Sequence, residues 1–224
     1  MPRLSAHDHQ IVTAAVAEAE LATNGEIVTI VAERSDRYQD VALHWAVLAM
    51  LLPMALFAVR PDWLTGLLGR VLGGWRPEPS LHEIVTALLL ITASTFLLAL
   101  LPFRNAALRD ALTPPATKSR RVRRRAIDLF RAGTDRRTAR RTGVLLYVSL
   151  AEHRAEIVAD EAIHAKVAPE VWGEAMAELV TRLRAGRPGE GMAAAVARLG
   201  IVLAEHFPRD AGDANELPDR LIAL

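Results

Sequence analysis

Two long apolar runs dominate the hydropathy pattern of the chain. Val41–Val59 has 17 apolar residues among 19, interrupted by His44 and Pro53, and Ile84–Phe103 has 20 residues without a charge. A helix of either length rises about 28–30 Å, close to the hydrocarbon thickness of a bilayer. We therefore predict two transmembrane helices that form a membrane hairpin. The alternative is a pair of buried core helices in a soluble domain.

A connector, residues 60–83, joins the two runs, and its Trp63, Leu67, Val71 and Trp75 suit a short amphipathic segment in the headgroup layer. The connector carries three arginines, whereas eight basic residues lie beyond the outer ends of the runs. These eight are Arg34, Arg37, Arg104, Arg109, Lys118, Arg120, Arg121 and Arg123. Because positive charge marks the cytoplasmic side, we expect a multi-pass protein of the bacterial inner membrane with both termini and the soluble domain in the cytoplasm.

The segment before the first run predicts one helix and one strand. Ser5 with Asp8 three residues on is a helix N-cap signal, and apolar residues recur at helical spacing from Ile11 to Ala19. Asn24–Gly25 predicts the turn that ends this helix. Glu26–Ala32 is a nearly continuous apolar run, typical of a strand that is covered on both faces.

The sequence after the second run predicts a basic helix, a β-hairpin and two amphipathic helices. Their bounds are 123–133 for the basic helix, Gly143–Leu150 and His153–Asp160 for the strands, and 169–185 and Met192–Phe207 for the last two helices. The gap of two residues between the strands is the spacing of a tight hairpin. Pro169 suits a first helical turn, and Gly186 suits a helix end.

Neither block can fold as a domain alone, because a single strand cannot bury both of its faces. We predict that Glu26–Ala32 pairs with the later strands and closes one α/β domain, with a central sheet flanked by helices and interrupted by the two-helix transmembrane hairpin. The predicted organisation is 1–40 for the first part of the domain, 41–103 for the hairpin, 104–125 for a basic juxtamembrane segment, 126–210 for the second part and 211–224 for a C-terminal tail.

The second block resembles the TPM-domain family. The similarity lies in the order of an "AIDLF" helix, the strands of "TGVLLYVSLAEHRAEIVAD" and the helices around "RLRAGRPGEGMAAAVARLG", and "NGEIVTIVAERSD" is similar to the opening strand of the family. The resemblance covers about residues 4–33 and 122–207. It implies a small α/β domain and leaves weak phosphatase activity and divalent-ion binding open. The chain departs from the family after the third strand, where "ADEAIHAKV" replaces a Gly-Tyr-Gly-like run.

Positive charge is concentrated in one segment, although the formal net charge is only +1. Residues 104–141 hold 13 of the 27 lysines and arginines and three acidic residues. We interpret the run Lys118–Arg125 as a topology determinant and a patch for anionic lipid, at on the order of 1 kcal/mol for each basic residue near the surface. Nucleic acid is not expected as a partner, because aromatic platforms for base stacking are missing around the run.

One turn offers candidate metal chemistry. Asp160, Glu161 and His164 follow a predicted strand, and their spacing can aim carboxylate and imidazole groups at a divalent cation such as Ca²⁺ or Mg²⁺. A solvated acidic turn is the alternative.

The remaining histidines and the missing motifs narrow the chemistry further. His7 and His9 are interpreted as surface residues of a helix start, and His44 in the first apolar run is expected to snorkel to the interface. The chain contains no cysteine, so disulfides, thiolate metal sites and cysteine nucleophiles are excluded. It also lacks the Walker, GxSxG and HExxH motifs.

Two functions stay open. The first is a membrane-anchored TPM-domain protein that serves as an interaction or assembly module at the inner membrane, with the bilayer, anionic lipid and another membrane protein as partners. The second is a metal-assisted phosphatase of the TPM type with Asp160 and Glu161 as ligands and Asp36 as a further candidate ligand. The second function rests mainly on the family resemblance.

Overall fold

The chain forms two compact units in the structure, which is a computed structural model that describes residues 4–71, 79–133, 142–167, 169–209 and 221–224. One unit consists of residues 1–36 and 115–224, and the other consists of residues 37–114. The second unit therefore interrupts the first in sequence. We refer to them as the α/β unit and the helical unit.

Helices and strands follow one another in an irregular order along the described residues. The helices are α1 Ala6–Glu20, α2 Gln39–Val59, α3 Pro61–Val71, α4 Leu81–Leu100, α5 Ala106–Leu112, α6 Pro115–Gly133, α7 Glu161–His164, α8 Pro169–Arg184 and α9 Pro188–His206. The strands are β1 Glu26–Ala32, β2 Gly143–Ser149, β3 Arg154–Ala159 and β4 Ile222–Ala223. A 3₁₀ turn, Pro102–Arg104, follows α4.

The α/β unit is built on a mixed sheet with the strand order β3-β2-β1-β4. β1 runs parallel to β2 over its full length, with Glu26 opposite Gly143 and Ala32 opposite Ser149. β2 and β3 form an antiparallel hairpin, and β4 pairs in parallel with the other side of β1. The prediction that β1 pairs with strands on the far side of the apolar runs is confirmed.

Both faces of this sheet are buried, which explains the nearly continuous apolar sequence of β1 and β2. Side chains alternate between the faces with a period of two. On one face the sheet packs against α1, α8 and α9 through Ile27, Val31, Val144, Leu146 and Val148. On the other face it packs against Val122 and Ala126 of α6 through Val28, Ile30, Leu145 and Tyr147. The central sheet flanked by helices is thus confirmed.

Two local signals in the sequence are realised in the α/β unit. Ser5 and Asp8 form a capping box at the start of α1, in which the Asp8 backbone N–H donates to the Ser5 hydroxyl at 3.1 Å. Gly186 has a φ of +75° between α8 and α9, a conformation that favours glycine. α1 ends at Glu20, earlier than the predicted turn at Asn24–Gly25.

The helical unit contains two candidate membrane spans, Gln39–Val59 and Leu81–Arg104. Their length and composition suit a bilayer, and α2 and α4 pack against each other. Only 17% and 6% of the most apolar window of each is buried. Core helices of a soluble protein are mostly buried, so these two helices do not resemble them.

Several predicted bounds differ from the observed ones. The basic run Lys118–Arg125 lies inside α6, which begins eight residues earlier than the predicted helix start at 123, because Pro115 suits a first helical turn. α3 contains Trp63, Leu67 and Val71, whereas Trp75 lies outside the described residues. The predicted tail supplies β4, while its residues 211–220 lie outside the described residues.

Candidate functional site

A buried polar network lies where β1 and β2 end. The Ser35 hydroxyl is 2.9 Å from the Tyr147 hydroxyl, and the Ser35 backbone N–H donates to Glu152 Oε1 at 3.1 Å. The other carboxylate oxygen, Glu152 Oε2, accepts a hydrogen bond from the Ser149 hydroxyl. Tyr147, Ser149 and Glu152 are buried. The network therefore ties the loop after β1 to the end of β2.

Tyr147 is held as a neutral phenol in this network. Burial raises the pKa of Tyr147 above its ordinary value, because the phenolate would lose its hydration. The Ser35 hydrogen bond and the charge of Arg125 act in the opposite direction, and the charge of Glu152 raises the pKa further. Tyr147 is consequently a hydrogen-bonding group at neutral pH.

A cavity of about 550 Å³ opens beside this network, and we call it the α6 cavity. Ser35 and Asp36 of the loop after β1 contribute to its lining. The other described lining residues lie on successive turns of α6, namely Thr117, Arg120, Arg121, Arg124, Arg125 and Asp128. The carboxyl ends of parallel strands are a common place for ligands in α/β proteins, so the position and the charge of this cavity both point to a binding site.

The position of α6 is fixed by contacts along its length. Val122 and Ala126 are completely buried against the sheet. The Arg154 guanidinium of β3 donates to the Ser119 hydroxyl at 2.6 Å, and Arg121 forms an ion pair with Asp36. These contacts hold the arginine side of α6 towards the loop that follows β1.

One acidic residue of the sheet lies partly buried beneath α6. Glu156 stands opposite Tyr147 in the β2–β3 hairpin, so both side chains lie on the face covered by α6. Burial raises the pKa of Glu156 above its ordinary value, while the charges of Arg123 and Arg154 oppose the change. Arg123 therefore lies near Glu156 and is not part of the α6 cavity lining.

The predicted cation ligands lie at the opposite end of the strands, near the start of β1 and β2. Asp160 precedes α7, and its carboxylate accepts the backbone N–H of Gly143 at 2.8 Å. Glu161 and His164 are exposed on α7. Within the described parts of the chain, no group of three or more His, Asp or Glu side chains is arranged to hold a metal ion.

The strand register separates Asp36 from these residues. Asp160 lies beside Gly143, which is opposite Glu26 at the start of β1. Asp36 follows the end of β1, and seven strand residues extend about 20 Å. The ligand set that joined Asp36 to Asp160 and Glu161 is wrong for this geometric reason.

The other singled-out histidines do not meet at a site. His7 and His9 both lie in the first turns of α1, and residues two apart on a helix do not face each other. His44 is exposed on α2, with its Nδ1 2.6 Å from the carbonyl oxygen of Asp40.

The polar network was not predicted from the sequence. Ser35, Tyr147, Ser149 and Glu152 carry no motif, although polar residues clustered at the ends of two predicted parallel strands were a usable signal. The arginines of α6 were predicted as a basic run. Which of them line a cavity follows only from the position of the helix over the sheet.

The fold and site define an α/β domain with a covered mixed sheet and a basic cavity at the ends of its parallel strands. The model of a family described as TPM domain matches residues 111–202. The resemblance to the TPM-domain family is thereby confirmed over these residues, which carry a TPM domain.

A solved structure supports the fold independently. The NMR structure of the BA42 protein from the psychrophilic bacterium Bizionia argentinensis is similar to this chain with a TM-score of 0.55, at 17% identity, over 99% of this chain and 95% of that chain. At this identity the likeness concerns the fold alone. No curated protein matches the chain.

Proposed function

We propose that this chain is a membrane-anchored TPM-domain protein that serves as an interaction or assembly module at the bacterial inner membrane. The observation that carries the proposal is the exposure of two long apolar helices inserted between β1 and β2. The helices anchor the domain, and the domain presents its binding surfaces to other membrane components.

The exposed side chains of α2 and α4 support the membrane part of the proposal. Large aliphatic residues on both helices are more than half exposed, including Leu48, Leu52, Leu89, Leu90, Leu97 and Leu98. Soluble monomers rarely expose contiguous apolar patches beyond a few hundred Å². A bilayer would cover these side chains without any further protein.

The position of the insertion supports the tether role. β1 on one side of the helical unit pairs over seven residues with β2 on the other side. The sheet of the domain therefore forms without strands from the helical unit. In this proposal the helical unit holds the domain at the membrane. The eight basic residues beyond the outer ends of the spans favour a cytoplasmic domain and cytoplasmic termini.

The phosphatase alternative has lost part of its support. A metal-assisted reaction needs convergent ligands, whereas Asp36 follows the end of β1 and Asp160 lies beside the residue that pairs with its start. We therefore retain the interaction module as the proposed function.

Membrane extraction and labelling test this proposal. The full chain should stay in the membrane pellet after an alkaline carbonate wash, because apolar spans resist extraction. Recovery in the soluble fraction would contradict the anchor.

Single cysteines test the orientation without background, since the chain has no native cysteine. In spheroplasts, a membrane-impermeant maleimide should label Asp62→Cys in α3, whereas Glu205→Cys in α9 should react only after lysis. Both native side chains are exposed. Labelling of Glu205→Cys in intact spheroplasts would contradict a cytoplasmic domain.

A further inference from the structure

The α6 cavity has an excess of positive charge that the fold does not neutralise. Four arginines and two aspartates line it. Arg121 is paired with Asp36, and both side chains are 31% exposed. Within the described residues, the exposed Arg124 and Arg125 form no ion pair. Two guanidinium groups are thus available to a ligand.

The size and lining of the cavity suit a compact anion. Arg124 and Arg125 of α6 line the cavity together with Ser35 of the loop after β1. A volume of about 550 Å³ lies within the usual range of small-molecule sites. It can hold a phosphate group together with the organic group that carries it.

Ser35 is a prepared hydrogen-bond donor for such an anion. Its hydroxyl is 2.9 Å from the hydroxyl of the buried Tyr147. When Tyr147 donates to the Ser35 oxygen, the Ser35 hydrogen remains for a ligand. The backbone of Ser35 is fixed in addition by its bond to Glu152.

We propose that the α6 cavity binds a phosphate group through Arg124, Arg125 and the Ser35 hydroxyl. Guanidinium groups present planar, forked donors that match phosphate oxygens, and such charge-assisted bonds are about twice as strong as neutral ones. The ion pair of Arg121 with Asp36 ties α6 to the loop after β1 and leaves Arg124 and Arg125 to the ligand.

The phosphate group has two sources, an anionic lipid headgroup or free phosphate. The headgroup is favoured by the sequence, because only Arg37 and Tyr38 separate Asp36 from the candidate span α2. This lipid source rests on the proposed membrane anchor. Binding of free phosphate does not, so the two proposals can fail separately.

The test compares two double variants with the same change of charge. Arg124→Gln/Arg125→Gln removes the arginines that face the cavity. Arg123→Gln/Arg131→Gln removes two exposed arginines of α6 that do not line it. The full chain in an uncharged detergent is titrated by calorimetry with inorganic phosphate and, separately, with dihexanoyl phosphatidic acid, using dihexanoyl phosphatidylcholine as the uncharged control lipid.

We expect saturable binding that the cavity variant weakens by at least about tenfold, the equivalent of one lost charge-assisted bond. The control variant should change the affinity less than about twofold, because separated surface charges are screened. Tighter binding of phosphatidic acid than of phosphate identifies the headgroup as the source, and equal affinity identifies free phosphate. Equal weakening by both variants, or no saturable binding of either probe, would overturn the proposal. Thermal unfolding of both variants confirms that they are folded.

Discussion

The hydroxyl groups of Ser35 and Tyr147 lie 2.9 Å apart, although 112 positions separate the two residues in the chain. Ser35 comes before the helical unit, and Tyr147 lies on the strand that follows it. The contact closes the α/β unit at the carboxyl ends of β1 and β2. It also places a hydroxyl group in the α6 cavity wall.

Tyr147→Phe should destabilise the protein by about 1 kcal/mol, the typical net value of a buried hydrogen bond. Ser35→Ala should cost a similar amount, and the double variant should cost less than the two single variants combined, because they remove the same bond. Thermal and denaturant unfolding in mild detergent measures the three values. Strict additivity would contradict the shared bond.

The same tyrosine gives the stability a dependence on alkaline pH. Because burial raises the pKa of Tyr147 in the folded state, its contribution is fully present below the ordinary tyrosine pKa and is lost as the pH rises through the folded value. The wild-type protein should therefore lose more stability above about pH 10 than Tyr147→Phe does. Parallel pH profiles of the two proteins would speak against a buried phenol.

Glu156→Gln should stabilise the protein at neutral pH. The pKa of Glu156 is raised by burial in the folded state, so the stability contributed by this carboxyl group is present below its ordinary pKa and lost as the pH rises through the folded value. The gain in melting temperature should shrink towards acid pH. Glu205→Gln, the same charge change at an exposed position, is the control, and an equal gain from it would refute the explanation.

Gly200→Ala should destabilise the α/β unit by about 1–3 kcal/mol through overpacking. A Cβ at Gly200 would lie 2.6 Å from the Ala19 Cβ, where α9 packs against α1. Gly173→Ala in α8 is the matched control, because its Cβ would meet nothing within 4 Å. It should stabilise by about 0.5–1 kcal/mol through helix propensity. Similar melting temperatures for the two variants would contradict the close packing of α1 and α9.

The turn of Asp160, Glu161 and His164 stays a predicted divalent-cation site. A cation bound there must raise the free energy of unfolding, by about 2.7 kcal/mol at a hundred times its Kd, and with it the melting temperature. Glu161→Gln/His164→Gln should abolish this rise. The pair leaves intact the hydrogen bond from Gly143 to Asp160. A melting temperature that does not respond to Ca²⁺, Mg²⁺ or Mn²⁺ would end the prediction.

The sheet was predictable because its strands are locally distinct. Two apolar runs, Glu26–Ala32 and Gly143–Ser149, need cover on both faces. Neither block of sequence can supply that cover alone, so the two strands were expected to share one sheet. β4 could not be foreseen in the same way. Ile222–Ala223 is too short to carry an alternating pattern, and β1 supplies its partner atoms.

The site was less predictable because it depends on tertiary placement. The run Lys118–Arg125 indicates positive charge, but only the burial of Val122 and Ala126 decides which arginines face Ser35 and which faces Glu156. Asp36 was a candidate ligand beside Asp160 and Glu161, and this part of the metal hypothesis is wrong. A position next to a strand in the sequence does not tell at which end of the sheet a residue lies.

The central claim is that one α/β domain is interrupted by a membrane tether. Replacing residues 37–114 with a short glycine-serine linker and following thermal unfolding in buffer without detergent tests it most directly. If one domain is interrupted by a tether, the shortened protein should be soluble and should unfold in a single cooperative thermal transition, since β1 and β2 pair without the helical unit. A variant that aggregates, or that unfolds without a cooperative transition, would contradict it.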